Sequence, residues 1–320
     1  MQRRNLLILL SFACLNLLSG QLSSAADTDL SSLGYVLQAE HLASSREKTV
    51  NVLSAADRDI LIIDATFDGS SRWTREEISR IRMGKEGRRV LCYLSIGEAE
   101  DYRSYWNSVW DADRDGTPDS GAPKFLHAEN PDWEGNYKVR YWHPQWQAVI
   151  AKEIDQILTQ GFDGVYLDIV DAFEFFEFDA ATDEWIDDRQ NPETGNTYRR
   201  DMINFVTKIR RQIDQPDRTR FVVPQNGEAL LASSDYVMTI DAIGVEDLFT
   251  NGKRAMKERQ IKYRTSFLQK AIDAGKQVYV IEYPRNQKAR DSSMASAKGT
   301  RYSLLLTDRD LKTVGDAVID

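Results

Sequence analysis

Two cysteines and three histidines in 320 residues leave little room for several kinds of chemistry. Cys14 sits in an amino-terminal apolar run, and the Ser-Phe-Ala before it matches a lipoprotein signal poorly. Cys92 lies inside an apolar strand candidate and reads as core rather than nucleophile. With Cys14 removed by processing, no internal disulfide can form. His41, His127 and His143 are not at strand ends with metal-ligand spacing, which disfavours a histidine-based metallohydrolase. There is no Gly-x-Ser-x-Gly elbow, no P-loop and no dinucleotide fingerprint. Basic residues are also outnumbered, 41 Lys and Arg against 50 Asp and Glu, a net charge of −9. Such a chain is a poor partner for nucleic acid or anionic membrane and suits neutral or cationic ligands. No repeat or low-complexity linker is present.

Nor is there an apolar run long enough to span a bilayer comfortably. Arg3 and Arg4 precede apolar residues Leu6 to Leu18, and a small, polar stretch from Ser19 to Ala26 follows. This order predicts a signal peptide over 1–26, cut after Ala25 or Ala26, and a secreted or periplasmic protein with no membrane attachment afterwards. The rest, 27–320, is long enough for one large domain, expected to be a monomer.

What the chain does have is a series of short apolar runs separated by helical patterns. Strand candidates are Leu33–Leu37, Ile60–Ile63, Val90–Leu94, Val165–Leu167, Phe221–Val223, Ala242–Val245, Val278–Ile281 and Ser303–Leu306. Short, continuously apolar runs are what parallel strands covered on both faces require. A helix is predicted from Pro144, with Trp146, Ile150, Ile154, Ile157 and Leu158 on one face and Gly161 as its stop. Another is predicted over Arg254–Ala274, with Gly275 beyond it. Eight alternations point to an α/β fold, a (β/α)8 TIM barrel, with a doubly wound open sheet as the alternative. The loop after the third strand, about Glu98 to Tyr141, is long enough to expect a function for it.

Carboxylates end the strands: Asp64, Glu98, Asp168, Glu228, Glu246 and Glu282. One alone is ordinarily a cap or turn residue. Several at one barrel mouth raise each other's pKa and can supply a carboxylic acid beside a carboxylate, the pair used in glycoside hydrolysis. Five of the seven tryptophans lie between Trp106 and Trp146. Trp146 belongs to a helix core face, whereas Trp133, beside Pro131 and Gly135, is the better sugar-stacking candidate. Separately, Asp111, Asp113, Asp115 and Asp119 alternate around Gly116 as in the front half of a calcium loop. Ala122 stands where the bidentate glutamate would be, so a Ca²⁺ ion there needs a ligand from elsewhere.

The chain resembles the endo-α-1,4-polygalactosaminidase superfamily, glycoside hydrolase family 114, in its bacterial and archaeal branch. The resemblance rests on Tyr93-Leu94-Ser95-Ile96-Gly97-Glu98-Ala99-Glu100, Tyr102-Arg103, Tyr105-Trp106, Asn130-Pro131-Asp132-Trp133 and Gly135-Asn136-Tyr137. It continues in Asp163-Gly164-Val165-Tyr166-Leu167-Asp168, Pro224-Gln225-Asn226-Gly227-Glu228 and Gly244-Val245-Glu246-Asp247. It implies a TIM barrel cleaving glycosidic bonds in a galactosamine-containing polymer, with Asp168 as nucleophile and Glu246 as acid/base. Asp64, Tyr93, Glu98, Asp171, Asn226, Glu228 and Glu282 are further candidates for binding sugar or tuning that pair. No cofactor is expected for catalysis. The alternative reading is a non-catalytic barrel that binds extracellular polysaccharide. A deacetylase or esterase lacks an evident metal cluster or serine triad.

Overall fold

A computed structural model describes residues 30–214 and 220–319. The expected signal segment 1–26, with Cys14, lies outside the described residues. All eight expected strands form: β1 (Leu33–Val36), β2 (Ile60–Ile63), β3 (Arg89–Ser95), β4 (Gly164–Asp168), β5 (Phe221–Pro224), β6 (Ala242–Glu246), β7 (Gln277–Glu282) and β8 (Tyr302–Leu306). β1 to β5 pair in sequence order, β3 meeting β4 across the long insertion; β6, β7 and β8 form a second ladder, and every one of these pairings is parallel. A parallel bridge between Gln225 and Gly244 joins the two ladders. On the other side, the Leu37 and Gln38 amides donate to the Leu311 carbonyl at 3.0 and 3.2 Å, drawing the end of β1 towards the loop after β8.

The alternation of side chains fixes the layers. Tyr35, Ile60, Ile62, Leu91, Tyr93, Tyr166, Val223, Tyr279, Ile281 and Leu305 pack together as an inner core. Their neighbours in sequence, such as Leu61, Cys92, Val165, Val222, Val245, Val280 and Leu304, pack outward into a second core under the helices. One strand thus supplies both layers because successive Cβ atoms point to opposite faces. The result is an α/β barrel-like arrangement around a parallel central sheet.

The helices are α1 (Arg46–Ala55), α2 (Arg75–Met83), α3 (Pro144–Gln160), α4 (Ala172–Glu177), α5 (Tyr198–Ile213), α6 (Ser234–Thr239), α7 (Glu258–Asp273) and α8 (Gln287–Ala297). α3 follows its pattern: Pro144 occupies the first turn, Trp146, Ile150, Ile154 and Ile157 are buried, and Gly161 ends it at φ 91°. Each such apolar side chain contributes about 1.5–3 kcal/mol on burial. α7 starts four residues later than expected. Asn251 Oδ1 accepts from the Lys253 and Arg254 amides, and Thr250 pairs with Ala255, holding that segment in a turn. Among the described residues no helix follows β8. The chain returns as Asp316–Val318, antiparallel to β8.

The long loop after β3 is a three-stranded antiparallel sheet of Glu98–Glu100, Trp133–Val139 and Leu126–Asn130. Trp106 and Trp110 meet at 5.0 Å, and Phe125 meets Trp146 at 5.3 Å, so these aromatics fasten the insertion to the barrel. No helix among the described residues is long and apolar enough to cross a membrane.

Candidate active site

The alternation that builds the inner core continues past the strand ends. Asp64 follows Ile62, Asp168 follows Tyr166, Gln225 follows Val223, Glu246 follows Gly244 and Tyr283 follows Ile281, each two residues on. All five therefore face the barrel mouth. Glu282 is one residue out of phase. It is fully buried beneath the loop after β6, accepting from the Phe249 amide at 2.6 Å and the Thr250 hydroxyl at 2.6 Å. The structure does not bring it to the mouth. Glu98 is diverted too. The chain turns at Gly97, where any Cβ would lie 2.1 Å from the Ile169 carbonyl oxygen. Glu98 then accepts from Asn130 at 2.8 Å and pairs with Lys138 at 3.2 Å inside the insertion.

Asp168 and Glu246 face each other across one amide. Gln225 Nε2 donates to Asp168 Oδ1 at 2.9 Å and to Glu246 Oε2 at 2.8 Å. The two N–H bonds of a primary amide diverge by about 120°, which sets the two oxygens on the order of 5 Å apart. Tyr93 donates to the other Asp168 oxygen at 2.8 Å, and the Ile169 amide donates to Oδ1 at 2.8 Å. Tyr283 donates to Glu246 Oε1. Asn226 holds a left-handed conformation at φ 58°, from which its side chain donates to Glu246 Oε2 at 3.3 Å and accepts from the Glu246 amide at 3.0 Å.

Burial first, and Glu246 second, push the Asp168 carboxyl up to about 7. Burial also raises Glu246, against the hydrogen bond from Tyr283 and the charge of Arg309. Two like charges this close do not ionise independently, so they titrate as a pair, and burial favours the protonated form of each.

Other carboxylates at the mouth are mostly compensated. Arg103 lies between Asp64 and Glu100, 2.7 Å from the first and 2.6 Å from the second. Glu228 is paired with Arg264 at 2.5 Å. The Asp171 carboxyl has no hydrogen-bond or ion-pair partner among the described residues, and burial together with Glu174 and Asp168 raises its pKa well above the ordinary value. Sequence reasoning missed Gln225, Tyr283, Glu100 and Arg103. The first two were available from the two-residue alternation.

Two cavities meet at Glu246. One, of about 630 Å³, holds Tyr93, Asp64, Asp168 and Gln225, with Trp133 at its rim. The other, of about 760 Å³, is walled by Trp185, Tyr263 and Phe267 and contains Glu228. Asp171, Asn226 and Glu246 line both. Exposed aromatic faces thus stand on either side of the carboxylates, with Trp133 54% and Trp185 62% exposed.

In the insertion, Asp111, Asp113 and Asp115 place ligand oxygens within 4.8 Å of one another. Asp119 instead accepts from the Ala112 amide at 2.7 Å, and buried Asp111 accepts from Tyr137 at 2.5 Å. Neighbouring Asp115 raises the Asp113 pKa. Three hard oxygen donors suit calcium and need further ligands to complete its shell.

A model of glycoside-hydrolase family GH114 matches residues 32–319. The uncharacterized protein MJ1477 of Methanocaldococcus jannaschii is 35% identical over 240 residues, 73% of this chain and 63% of that one. This chain therefore spans less than two thirds of that relative's length. An uncharacterized protein of Deinococcus radiodurans is 32% identical over 266 residues, 82% of this chain and 77% of that one. Among solved structures, the glycoside hydrolase domain of PelA from Pseudomonas aeruginosa superposes with a TM-score of 0.63 at 16% identity, over 92% of this chain and 99% of that one. Ega3 of Aspergillus fumigatus, solved in complex with galactosamine, does so with a TM-score of 0.58 at 16% identity, over 90% of this chain and 93% of that one. At that identity the two structures bear on the fold alone.

Proposed function

The chain belongs to glycoside-hydrolase family GH114, and from that premise we propose that it cleaves glycosidic bonds in an amine-bearing polysaccharide by a retaining, two-carboxylate mechanism. The observation that carries this reading is the shared amide. An oxygen separation on the order of 5 Å matches a retaining pair, roughly 5–5.5 Å, and is too short for the roughly 6.5–9.5 Å of an inverting pair.

In the first step Asp168 attacks the anomeric carbon while Glu246 gives its proton to the departing glycosidic oxygen. The C–O bond to the leaving sugar breaks and an ester bond to Asp168 forms. In the second step Glu246 takes a proton from water, the water oxygen attacks the same carbon, and Asp168 leaves as carboxylate. Tyr93 and the Ile169 amide donate to Asp168 and favour its charged form, while burial favours the protonated form of Glu246, the two starting forms the first step needs. Trp133 and Trp185 stack on the apolar faces of sugars to either side of the cleaved bond, which lays the polymer across both cavities. Export of the chain belongs to the same reading and is supported by the charged, apolar and small-residue segments of 1–26.

Eight carboxylates and two arginines line the first cavity, and seven carboxylates and three arginines the second. A cleft of that sign concentrates a cationic, deacetylated amino sugar. The attraction is screened over roughly 10 Å at 0.1 M salt. Hydrolysis of a partly deacetylated α-1,4-galactosamine polymer is expected to exceed that of its fully N-acetylated form and to fall as salt rises. Preference for a neutral or uronic-acid polymer, with no salt dependence, would remove the amino sugar from the reading. Binding of polymer without released product would favour a carbohydrate-binding barrel instead.

Calcium at Asp111, Asp113 and Asp115 is the second part of the proposal, as a structural ion for the insertion and not a participant in catalysis. Binding to the folded state raises apparent stability by mass action. Millimolar Ca²⁺ is expected to raise the melting temperature and to give a calorimetric binding signal that Asp113→Asn weakens. Calorimetry without heat, and melting unchanged by the ion, would remove calcium from the reading.

A further inference from the structure

We propose that Gln225 is the positioning residue of this site: one amide that donates to both carboxylates, fixes the gap between them and serves whichever of them carries the negative charge. The inference rests on the two-carboxylate reading above.

Gln225 is only 3% exposed. Its backbone amide donates to the Leu167 carbonyl at 2.8 Å, beside β4, and the residue bridges to Gly244 on β6. Its own backbone is therefore tied to the two strands that carry Asp168 and Glu246. The amide has one possible orientation. At least one of the two is ionised and can only accept, so Nε2 faces the pair and Oε1 faces away. Oε1 is buried and has no partner among the described residues. Buried acceptors are rarely left so. Here the fold gives up one acceptor and keeps both N–H groups on the carboxylates.

The reaction gives that arrangement a use. During the first step Asp168 loses its charge to the new ester as Glu246 gains one by losing its proton. The second step reverses both changes. The charge thus crosses the gap twice in each cycle, and Gln225 Nε2 touches both ends of the path. Neither Tyr93, which holds Asp168, nor Tyr283, which holds Glu246, does this. A donor to a carboxylate favours its charged form, so removing Gln225 raises the pKa of both members. The other titratable and charged groups around the pair are Tyr35, Tyr93, Tyr166, Asp171, Tyr283, the Arg309–Asp247 ion pair, Arg103 with Asp64 and Glu100, and Arg264, which joins Glu228 to the Glu246 carbonyl.

The test is Gln225→Met, similar in length and without donors, assayed on the partly deacetylated galactosamine polymer across pH. We expect kcat to fall on the order of 10- to 100-fold with KM changed less than about threefold, as for an interaction made in the transition state. Both limbs of the kcat/KM profile are expected to move to higher pH. Gln225→Glu keeps the size and removes at least one donor, and is expected to lower kcat as well. Melting curves on both variants separate a folding defect from a kinetic one. Unchanged kcat in either folded variant, or a loss carried by KM with an unmoved pH profile, overturns the proposal. Asp168→Asn and Glu246→Gln are run alongside. If they retain activity, the two-carboxylate reading fails; if they lose it while Gln225→Met does not, only the role of Gln225 fails.

Discussion

Asp168→Asn and Glu246→Gln are each expected to lower hydrolysis on the order of 10²-fold or more while leaving the barrel at least as stable as before. The kinetic loss follows from the bonds each carboxylate makes and breaks, and the two variants should fail differently. A substrate whose leaving group needs no proton, such as a nitrophenyl glycoside, should recover the first step in Glu246→Gln, and added azide should recover the second. Asp168→Asn lacks the attacking oxygen, so there azide can only displace the leaving group directly and give a glycosyl azide of inverted configuration, whereas Glu246→Gln should give the retained one. Identical behaviour of the two variants with such substrates would contradict their separate roles.

The stability half follows from linkage. Asp168 and Glu246 both have raised pKa values in the folded state, from burial and nearby charge. A raised carboxyl favours the fold when protonated. That contribution is complete below the ordinary carboxylate range and is lost as pH rises through the folded value, about 7 for Asp168. The melting temperature of the free enzyme should carry a downward component from about pH 4 to 7 that either amide variant reduces. The relevant measurement is the difference between variant and wild type across that window.

The eight strands were legible because their apolar runs are continuous and separated by helical patterns. The proposed pair could be picked out because Asp168 and Glu246 end two of those runs. The alternation within each run carried more than its end did. Phe221, Val223 and Gln225 share a face, as do Tyr279, Ile281 and Tyr283, so the inward phase leads to two residues that an inventory of carboxylates passes over. The same phase directs Glu282 outward. Glu98 lies past a turn where strand phase no longer applies. Arg103 reaching Asp64, and Arg264 reaching Glu228, depend on how an insertion and a helix fold back over the mouth. Nothing local to those residues encodes it. Tryptophans are dense between Trp106 and Trp146 because several of them fasten the insertion to the barrel. Trp185 and Tyr263 come from separate elements that meet only at the second cavity.

Gly244→Ala is expected to destabilise the barrel by about 1–3 kcal/mol, as overpacking of a filled core does. It should also reduce activity. Gly244 points inward on β6, two residues before Glu246, where a Cβ would lie 1.9 Å from the Tyr166 hydroxyl and 2.8 Å from its Cζ. Tyr166 is fully buried and its ring packs on Tyr35 at 5.2 Å, so it cannot swing aside cheaply. The remaining relief is to move β6 outward. That would disturb the Gly244 carbonyl, which accepts from the Asn226 amide at 2.8 Å, and with it the Asn226 grip on Glu246. The Tyr166 hydroxyl has no hydrogen-bond partner among the described residues. Tyr166→Phe alone should therefore cost little, because it removes a buried polar group that is already unsatisfied. Combined with Gly244→Ala it should recover part of the lost stability, giving a favourable coupling in a double-mutant cycle measured by denaturant unfolding. Full recovery is not expected, since the ring carbon still lies inside contact distance of the new methyl. Additive effects of the two substitutions would mean that the hydroxyl is not what requires a glycine at 244.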